Sequence, residues 1–184
     1  RTGAVTGLAN NTMLLSLDGG EYSVEDSAAP IRDKQGRIAG VVLVFRDVSE
    51  AREMANHLSW QASHDALTEL VNRREFERLA TELLQSAKND NQEHALLYVD
   101  LDQFKVVNDS CGHQAGDELL KQLSALLKSK MRRSDTLARL GGDEFGILLA
   151  GCDTERARTI AQQLLETVQG FRFVWRDRLF ALLA

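Results

Sequence analysis

The chain has 184 residues, of which 43% are hydrophobic and 27% charged, and its formal net charge is −5. At roughly 150 residues per domain, this length predicts one domain, or one domain and part of another, with the composition of a soluble globular protein. The acidic balance argues against binding to long nucleic acids or anionic membranes, because both require basic patches. The longest apolar run, Ala39 to Phe45, is far shorter than the ~20 residues of a membrane helix. We therefore predict no nucleic-acid partner and no membrane contact within this segment.

The cysteine content predicts a reducing, cytoplasmic setting. Cys111 and Cys152 belong to no CxxC pair and could form at most one disulfide. No signal-peptide pattern is present, and the chain begins at Arg1. We therefore expect it to be part of a longer protein, whose other segments would supply any membrane anchor.

Residues 1–48 favour β-structure. Tyr22–Ser27 alternates polar and apolar residues, and Gly40–Phe45 is a hydrophobic strand candidate. Between them, Pro30 and the segment Asp33–Gly36 predict a turn. So short a β-rich stretch buries little core on its own. We interpret it as the C-terminal part of a domain that begins upstream.

A helix is predicted from Ser49 to about Leu70, because this stretch lacks proline and glycine and is rich in Ala, Glu, Met and Leu. Its apolar stripe is thin, with Met54, Leu58 and Ala62 at four-residue spacing. A thin stripe is typical of a connecting helix that pairs with a second copy of itself. We assign residues 49–63 to this connecting helix.

The remaining chain alternates helices and strands. Asn72, with Glu75 three residues later, predicts the N-terminus of a helix; its predicted core face comprises Phe76, Leu79, Leu83 and Leu84. The elements predicted after it are a strand at Ala95–Val99, a helix at Asp117–Met131, a hairpin of Thr136–Leu140 and Phe145–Ala150, a helix capped by Asp153 or Thr154, and one or two strands within Phe171–Leu183. This order predicts an α/β fold of the α+β type, with an antiparallel or mixed central sheet and helices on one face.

Acidic residues follow the strand and occupy the hairpin turn. Asp100 and Asp102 stand at the C-terminal end of the Ala95–Val99 strand, and Asp143 and Glu144 follow two glycines in the turn. If the hairpin pairs beside that strand, the carboxylates converge at one edge of the sheet. Such hard oxygen ligands suit Mg²⁺, and two such ions can bind the attacking and leaving oxygens of a phosphoryl transfer. The alternative is that these acids only end a strand and form a turn.

The segment between the two acidic groups carries further polar residues. Lys105 could neutralise a phosphate, and Asn108 and Asp117 could form hydrogen bonds with the edge of a base. The alternative is a solvated loop in which Asp117 is only the negative charge at a helix N-terminus.

Together these segments closely resemble the GGDEF family of diguanylate cyclases. The matching stretches are Asp100-Leu101-Asp102-Gln103-Phe104-Lys105-Val106-Val107-Asn108-Asp109, then Gly112-His113-Gln114-Ala115-Gly116-Asp117, and then Arg139-Leu140-Gly141-Gly142-Asp143-Glu144-Phe145. Asp65–Arg73 also looks like the start of that domain, with Glu69 and Val71 where glycine and proline are usual. The resemblance covers residues 64–184 and implies a fold like that of the polymerase palm and the nucleotide cyclases.

A second resemblance concerns the N-terminal segment. Leu17–Gly20, Pro30 and Val44–Glu50 are similar to the C-terminal half of a PAS sensor domain. This implies a partial PAS β-sheet over residues 1–48, joined to the GGDEF domain by the connecting helix.

The GGDEF resemblance implies a reaction. Two GTP molecules, one on each subunit of an antiparallel homodimer, condense to cyclic di-GMP and two pyrophosphates when each 3′-hydroxyl attacks the partner's α-phosphate. The implied Mg²⁺ (or Mn²⁺) ligands are Asp100, the Leu101 carbonyl and Asp143; the implied catalytic residues are Asp143, Glu144 and Lys105; and the implied substrate-binding residues are Phe104, Asn108, His113, Asp117, Gly141 and Gly142. Asp143 is our choice for the group that deprotonates the hydroxyl, and Asn108 and Asp117 would recognise guanine.

The pattern RxxD lies shortly before the glycine pair. Arg132 and Asp135 resemble the family's inhibitory site, where they would bind the guanines of cyclic di-GMP. Arginine suits this role because its planar guanidinium can bind both the acceptor edge of guanine and a phosphate. The alternative is a charged helix C-terminus.

Three functions compete. The first is an active diguanylate cyclase controlled by the PAS segment; the second is a non-catalytic GTP-binding module that regulates an EAL cyclic di-GMP phosphodiesterase domain; the third is a dimerisation and sensing fragment without nucleotide chemistry. The family also leads us to expect a further strand, and a helix with phosphate-binding Lys and Arg, after Phe180, where this chain ends at Ala184. A GGDEF domain incomplete at its C-terminus would turn over GTP weakly or not at all.

Overall fold

The computed structural model describes residues 12–182, and the chain divides between Trp60 and Gln61 into two compact units. The predicted sensor residues 1–11 and the strand residue Leu183 lie outside the described residues. The elements up to the connecting helix are β1 (Thr12–Leu15), β2 (Glu21–Arg32), β3 (Ile38–Asp47) and α1 (Ser49–Ser63). Those that follow are β4 (Val71–Asn72), α2 (Arg73–Asp90), β5 (Ala95–Asp100), α3 (Phe104–Cys111), α4 (His113–Lys130), β6 (Thr136–Gly141), β7 (Glu144–Leu149), α5 (Thr154–Gly170), β8 (Arg172–Trp175) and β9 (Arg178–Ala181). Across residues 12–182, no helix combines the length and apolar character needed to cross a membrane.

The first unit is an antiparallel sheet of β1, β2 and β3 in that order. Its strands are longer than predicted, and Pro30 lies inside β2 opposite Val41 instead of in the turn. Proline is tolerated in a strand where its missing N–H is not needed for a ladder hydrogen bond. The turn itself spans Asp33 to Arg37, where the Asp33 amide donates to the Arg37 carbonyl at 2.8 Å.

Helix α1 ends at Ser63, earlier than the predicted limit near Leu70. The next residues form a turn in which the carboxylate of Asp65 accepts hydrogen bonds from the backbone amide and the hydroxyl of Thr68, at 2.9 and 2.7 Å. Side chains of this kind compete with helical hydrogen bonds. Glu69 then adopts a left-handed conformation (φ 57°), which continues the departure from the helix.

Helix α2 begins where the sequence predicted. The side chain of Asn72 accepts a hydrogen bond from the amide of Glu75 at 3.0 Å, although the Glu75 carboxylate binds Arg78 instead of returning to the cap. The prediction that Leu84 belongs to the core face of this helix was wrong, because the residue is 56% exposed. Adjacent helical residues point in different directions, so Leu83 packs against the sheet and Leu84 does not.

The central sheet of the second unit is mixed. Its strand order is β4-β6-β7-β5, with β4 parallel to β6 and the other pairs antiparallel. On β7, Phe145, Ile147 and Leu149 pack with α4 and α5, whereas Leu148 packs with Phe76 of α2. Helices therefore cover both faces, and the prediction that they lie on one face was wrong.

Helix α3 was missed by the sequence analysis, and α4 begins four residues earlier than the predicted Asp117. The α3 sequence contains β-branched Val106 and Val107 and the turn-favouring Asn108, which are weak helix formers. Burial of Phe104 and Val107 in the main core overrides that propensity. The element order consequently has an extra helix after β5, while the predicted C-terminal strands are the hairpin of β8 and β9.

An ion pair joins the turn after α1 to β6. The guanidinium of Arg139 lies 3.1 Å from the carboxylate of Asp65, and its side chain is only 13% exposed. Partial burial alone raises the pKa of Asp65, but hydrogen bonds from Thr68 and Arg139 and the charge of Arg139 outweigh it. The pKa of Asp65 therefore lies below its ordinary value.

The lowered pKa of Asp65 predicts a pH-dependent contribution to stability. The contribution is present above the unfolded-state pKa of about 3.9 and is lost as the pH falls through the lower folded-state value. Asp65→Asn should therefore lower the free energy of unfolding at pH 7, with a difference from the wild type that shrinks at pH 3. Urea unfolding at both values measures this difference, and a difference independent of pH would contradict it.

Close packing between Gly146 and Phe76 gives a second prediction. A β-carbon at Gly146 would lie 2.6 Å from the ring of Phe76, in a strand buried on both faces. Gly146→Ala should lower the free energy of unfolding by about 1–3 kcal/mol through overpacking. Gly170→Ala is the matched control, because a β-carbon there meets no atom within 4 Å. Equal stability of the two variants in urea unfolding would count against this interpretation.

Candidate active site

Three carboxylates meet at one end of the central sheet. In the pairing of β5 with β7, Asp100 lies opposite Glu144, and Asp143 precedes Glu144 in the turn between β6 and β7. Desolvation raises the pKa of Asp100, and the negative charges of Asp143, Asp102 and Glu144 raise it further. This end of the sheet therefore concentrates negative charge that a bound cation would neutralise.

The turn requires its glycines for conformational reasons. Gly141 and Gly142 have φ values of 147° and 52°, which residues with a β-carbon rarely adopt. A β-carbon at either position would meet no protein atom within 4 Å. Within the protein, backbone conformation and not crowding explains this glycine pair, and the space above it is open.

Two arginines that the sequence analysis missed as site residues bind this turn. Arg73 donates from Nε to the Leu140 carbonyl at 2.8 Å, and its Nη2 lies 3.0 Å from the carboxylate of Glu144. Arg139 donates from Nε to the Gly142 carbonyl at 3.0 Å. The sequence does carry a signal for Arg73. A cation in the first turn of a helix interacts unfavourably with the helix dipole, so an arginine there suggests a contact outside the helix.

These contacts distinguish the two acids of the turn. Glu144 is engaged by Arg73, whereas the side chain of Asp143 forms no hydrogen bond or ion pair with any residue between 12 and 182. Asp143 is therefore the carboxylate of the turn that no arginine or lysine of the described residues neutralises.

The possible metal ligands are few. Within the described part of the chain, no group of three or more His, Cys, Asp or Glu side chains is arranged to hold a metal ion. The predicted metal ligands are instead the carboxylates of Asp100 and Asp143 and the backbone carbonyl of Leu101. All are hard oxygen donors, which fit Mg²⁺ in a site completed by water and substrate phosphates. The side chain of Leu101 is 1% exposed, so this backbone segment is anchored in the core.

Helices α3 and α4 carry the other predicted substrate-binding residues. Lys105 and His113 are exposed near the start of their helices. Asn108 and Asp117 have side chains without a hydrogen bond to any of residues 12–182, and the backbone carbonyl of Asn108 accepts from the Gly112 amide at 2.8 Å, where the two helices meet. Phe104 differs from the others, because only 9% of it is exposed and it packs in the main core.

The RxxD segment forms a compact turn at the end of α4. The backbone amide of Arg132 donates to the Asp135 carboxylate, and the amide of Asp135 donates to the Arg132 carbonyl, both at 3.1 Å. Cavities of about 420 and 490 Å³ adjoin this turn, and both are lined by Met131, Arg132 and Asp135. Lys128 and Arg133 line the first cavity as well, so three basic side chains contribute to its wall together with the acids Glu69 and Asp135.

Comparison with known proteins assigns the second unit to a family. The family described as "Diguanylate cyclase, GGDEF domain" matches residues 62–179. The chain is 48% identical over 171 residues to "Probable diguanylate cyclase DgcE" of Escherichia coli K12, covering 93% of this chain and 16% of that protein. It is 36% identical over 145 residues to "Cyclic di-GMP phosphodiesterase PdeB" of Shewanella oneidensis, covering 79% of this chain and 16% of that protein.

A solved structure agrees with this assignment. The GGDEF domain of DgcB from Caulobacter crescentus, in complex with c-di-GMP, superposes with a TM-score of 0.64 at 25% identity, covering 67% of this chain and 74% of that one. The mixed sheet with helices on both faces is thus the palm-like fold of these cyclase domains, the fold that the GGDEF resemblance implied. The chain spans about a sixth of the length of DgcE and of PdeB. It belongs to the GGDEF diguanylate cyclase domain family.

Proposed function

We propose that the GGDEF domain of this chain binds GTP and, in a homodimer, condenses two GTP molecules to cyclic di-GMP and two pyrophosphates. The observation that carries the proposal is the convergence of Asp100 and Asp143 at the end of β5 and β7, beside a glycine turn with open space above it. The family membership and the 48% identity to DgcE support the same reaction.

The residues of the chain would bind the substrate in three places. Asn108 and Asp117 would bind guanine, because a carboxylate accepts from the N–H groups of the base and a carboxamide can both donate and accept. Lys105 would neutralise phosphate charge. Mg²⁺, or Mn²⁺ in its place, would be held by Asp100, Asp143 and the Leu101 carbonyl and would supply positive charge to the triphosphate.

The chemical step would need little covalent work from the protein. A bond forms between the 3′-oxygen of one GTP and the α-phosphorus of the other, and the bond from that phosphorus to pyrophosphate breaks. Asp143 would accept the hydroxyl proton, since Glu144 is paired with Arg73, whose positive charge favours the unprotonated carboxylate. The protein's main contribution is then to orient two nucleotides and neutralise their charge.

Regulation of the domain is part of the proposal. The antiparallel sheet of β1 to β3 would be the C-terminal part of a PAS sensor, and α1 would connect it to the cyclase domain. Helix α1 has no buried residue, and Met54 and Leu58 are 61% and 58% exposed. This stripe would pair with the same helix of a second copy and bring two GTP-loaded domains together.

A second candidate function is a GTP-binding regulatory module of a cyclic di-GMP phosphodiesterase with an EAL domain. The 36% identity to PdeB favours it. GTP binding without product formation by the full-length protein would select this function over the cyclase.

Loss of the Asp143 carboxylate should abolish synthesis. Asp143→Asn keeps the shape of the side chain but removes the charge, so we expect cyclic di-GMP formation to fall by about 100-fold or more. Asp90→Asn, an exposed acid at the end of α2, is the matched control and should stay within about 2-fold of the wild type. Chromatographic detection of cyclic di-GMP measures both variants, and wild-type synthesis by Asp143→Asn would overturn the assigned role.

Product binding should depend on the RxxD turn. We expect Arg132→Ala to weaken the affinity for cyclic di-GMP about 10-fold or more, because a charge-assisted hydrogen bond to the product is lost. Arg74→Ala, an exposed arginine of α2, serves as the control and should bind the product like the wild type. Isothermal titration calorimetry tests this, and equal affinities for all three proteins would show that the product binds elsewhere or not at all.

A further inference from the structure

A glycine in the first turns of α4 provides the space in which the side chain of Asn108 lies. Gly116 is buried, and a β-carbon built on it would lie 2.0 Å from Oδ1 and 2.9 Å from Cγ of Asn108. The same β-carbon would lie 3.1 Å from Cζ of Phe104. The carboxamide of Asn108 thus occupies the volume that a side chain at position 116 would need.

Backbone conformation does not explain this glycine. Gly116 does not have the positive φ that Gly112, Gly141 and Gly142 have. It lies inside a helix, where glycine is the least favourable residue after proline and alanine the most favourable. The space required by Asn108 is the structural reason that remains for glycine at this position.

The carboxamide held in this space has unused hydrogen-bonding capacity. The Asn108 side chain is partly buried and makes no hydrogen bond with any of residues 12–182. Leaving a partly buried amide without a partner is unfavourable unless a ligand or water supplies one. Asp117, the residue after Gly116, is exposed and equally without a hydrogen bond in that part of the chain. Gly116 thus contacts the partly buried carboxamide of Asn108 and immediately precedes the exposed carboxylate of Asp117 in α4.

We propose that Gly116 is a positioning residue for guanine recognition, because it lets the carboxamide of Asn108 lie against α4 at the position that precedes Asp117. The proposal rests on the function proposed above, in which these two side chains bind guanine. It adds that the selectivity for guanine over adenine depends on the missing side chain at position 116. A site built to form hydrogen bonds discriminates strongly because a misplaced group leaves buried polar atoms unpaired.

The nature of the close contacts predicts what a substitution would change. The atom nearest to the built β-carbon is Oδ1, the end of a side chain that can rotate. In Gly116→Ala, Asn108 should therefore turn away while the backbone keeps its course, and Phe104 should shift by a few tenths of an ångström. The higher helix propensity of alanine offsets this cost. The variant should consequently fold, yet bind guanine poorly.

The test compares nucleotide binding by calorimetry, using 3′-deoxy-GTP and 3′-deoxy-ATP with Mg²⁺, since neither has the hydroxyl needed for turnover. Gly116→Ala should lose about 10-fold or more of its affinity for 3′-deoxy-GTP, whereas its affinity for 3′-deoxy-ATP should change by less than about 2-fold. Its thermal unfolding temperature should not fall. Gly170→Ala, a helical glycine with open space around it, is the control and should keep the wild-type preference.

A double substitution distinguishes positioning from a general structural defect. Asn108→Ala removes the carboxamide and leaves room for a β-carbon, so adding Gly116→Ala to it should cause no further loss of 3′-deoxy-GTP affinity. This comparison also decides the matter if Gly116→Ala alone proves unstable. Additive losses, or full guanine preference in Gly116→Ala, would overturn the proposal. A wild-type protein that does not prefer 3′-deoxy-GTP would instead overturn guanine binding itself.

Discussion

The antiparallel pairing of β5 with β7 is the constraint on which the candidate site depends. It sets Asp100 opposite Glu144 and brings the turn that carries Asp143 to the same end of the sheet. Register matters here because a shift by one residue would turn every side chain of the strand to the opposite face of the sheet. The buried residues Phe145, Ile147 and Leu149 on β7 fix that register, so the hydrophobic core determines where the carboxylates meet.

Bringing these carboxylates together is electrostatically unfavourable, and the structure offsets the repulsion unequally. Arg73 neutralises Glu144 and binds the Leu140 carbonyl, while Arg139 binds the Gly142 carbonyl and pairs with Asp65. Asp100 and Asp143 receive no such partner among residues 12–182. The positive charge supplied by the protein thus fixes the turn and leaves Asp100 and Asp143 uncompensated, which is the arrangement expected of groups that bind a cation or a proton.

Much of the domain was predictable from short-range signals. Strand β5, the hairpin of β6 and β7, and the cap of α2 at Asn72 were all predicted, because a short apolar run, paired glycines and capping side chains are local signals. Helix α3 was missed, since its weak helix propensity is overridden by burial of Phe104 and Val107. The acids of the site follow from motifs in the sequence. The arginines that bind the turn do not, because their contacts join Arg73 and Asp65 to residues more than sixty positions away.

The glycines of the second unit are required for two different physical reasons, backbone conformation and lack of space. Gly141 and Gly142 are required by positive φ values, with open space around them, whereas Gly116 and Gly146 have ordinary backbones and no space. At Gly146 the space is filled by Phe76, which joins α2 to the sheet and serves stability. At Gly116 it is filled by Asn108, a polar side chain that forms no hydrogen bond with the described residues. An apolar ring packed against a glycine stabilises a core, whereas a carboxamide without a hydrogen-bond partner does not stabilise the core when it packs against a glycine. Such a contact is better explained by what the carboxamide has to bind.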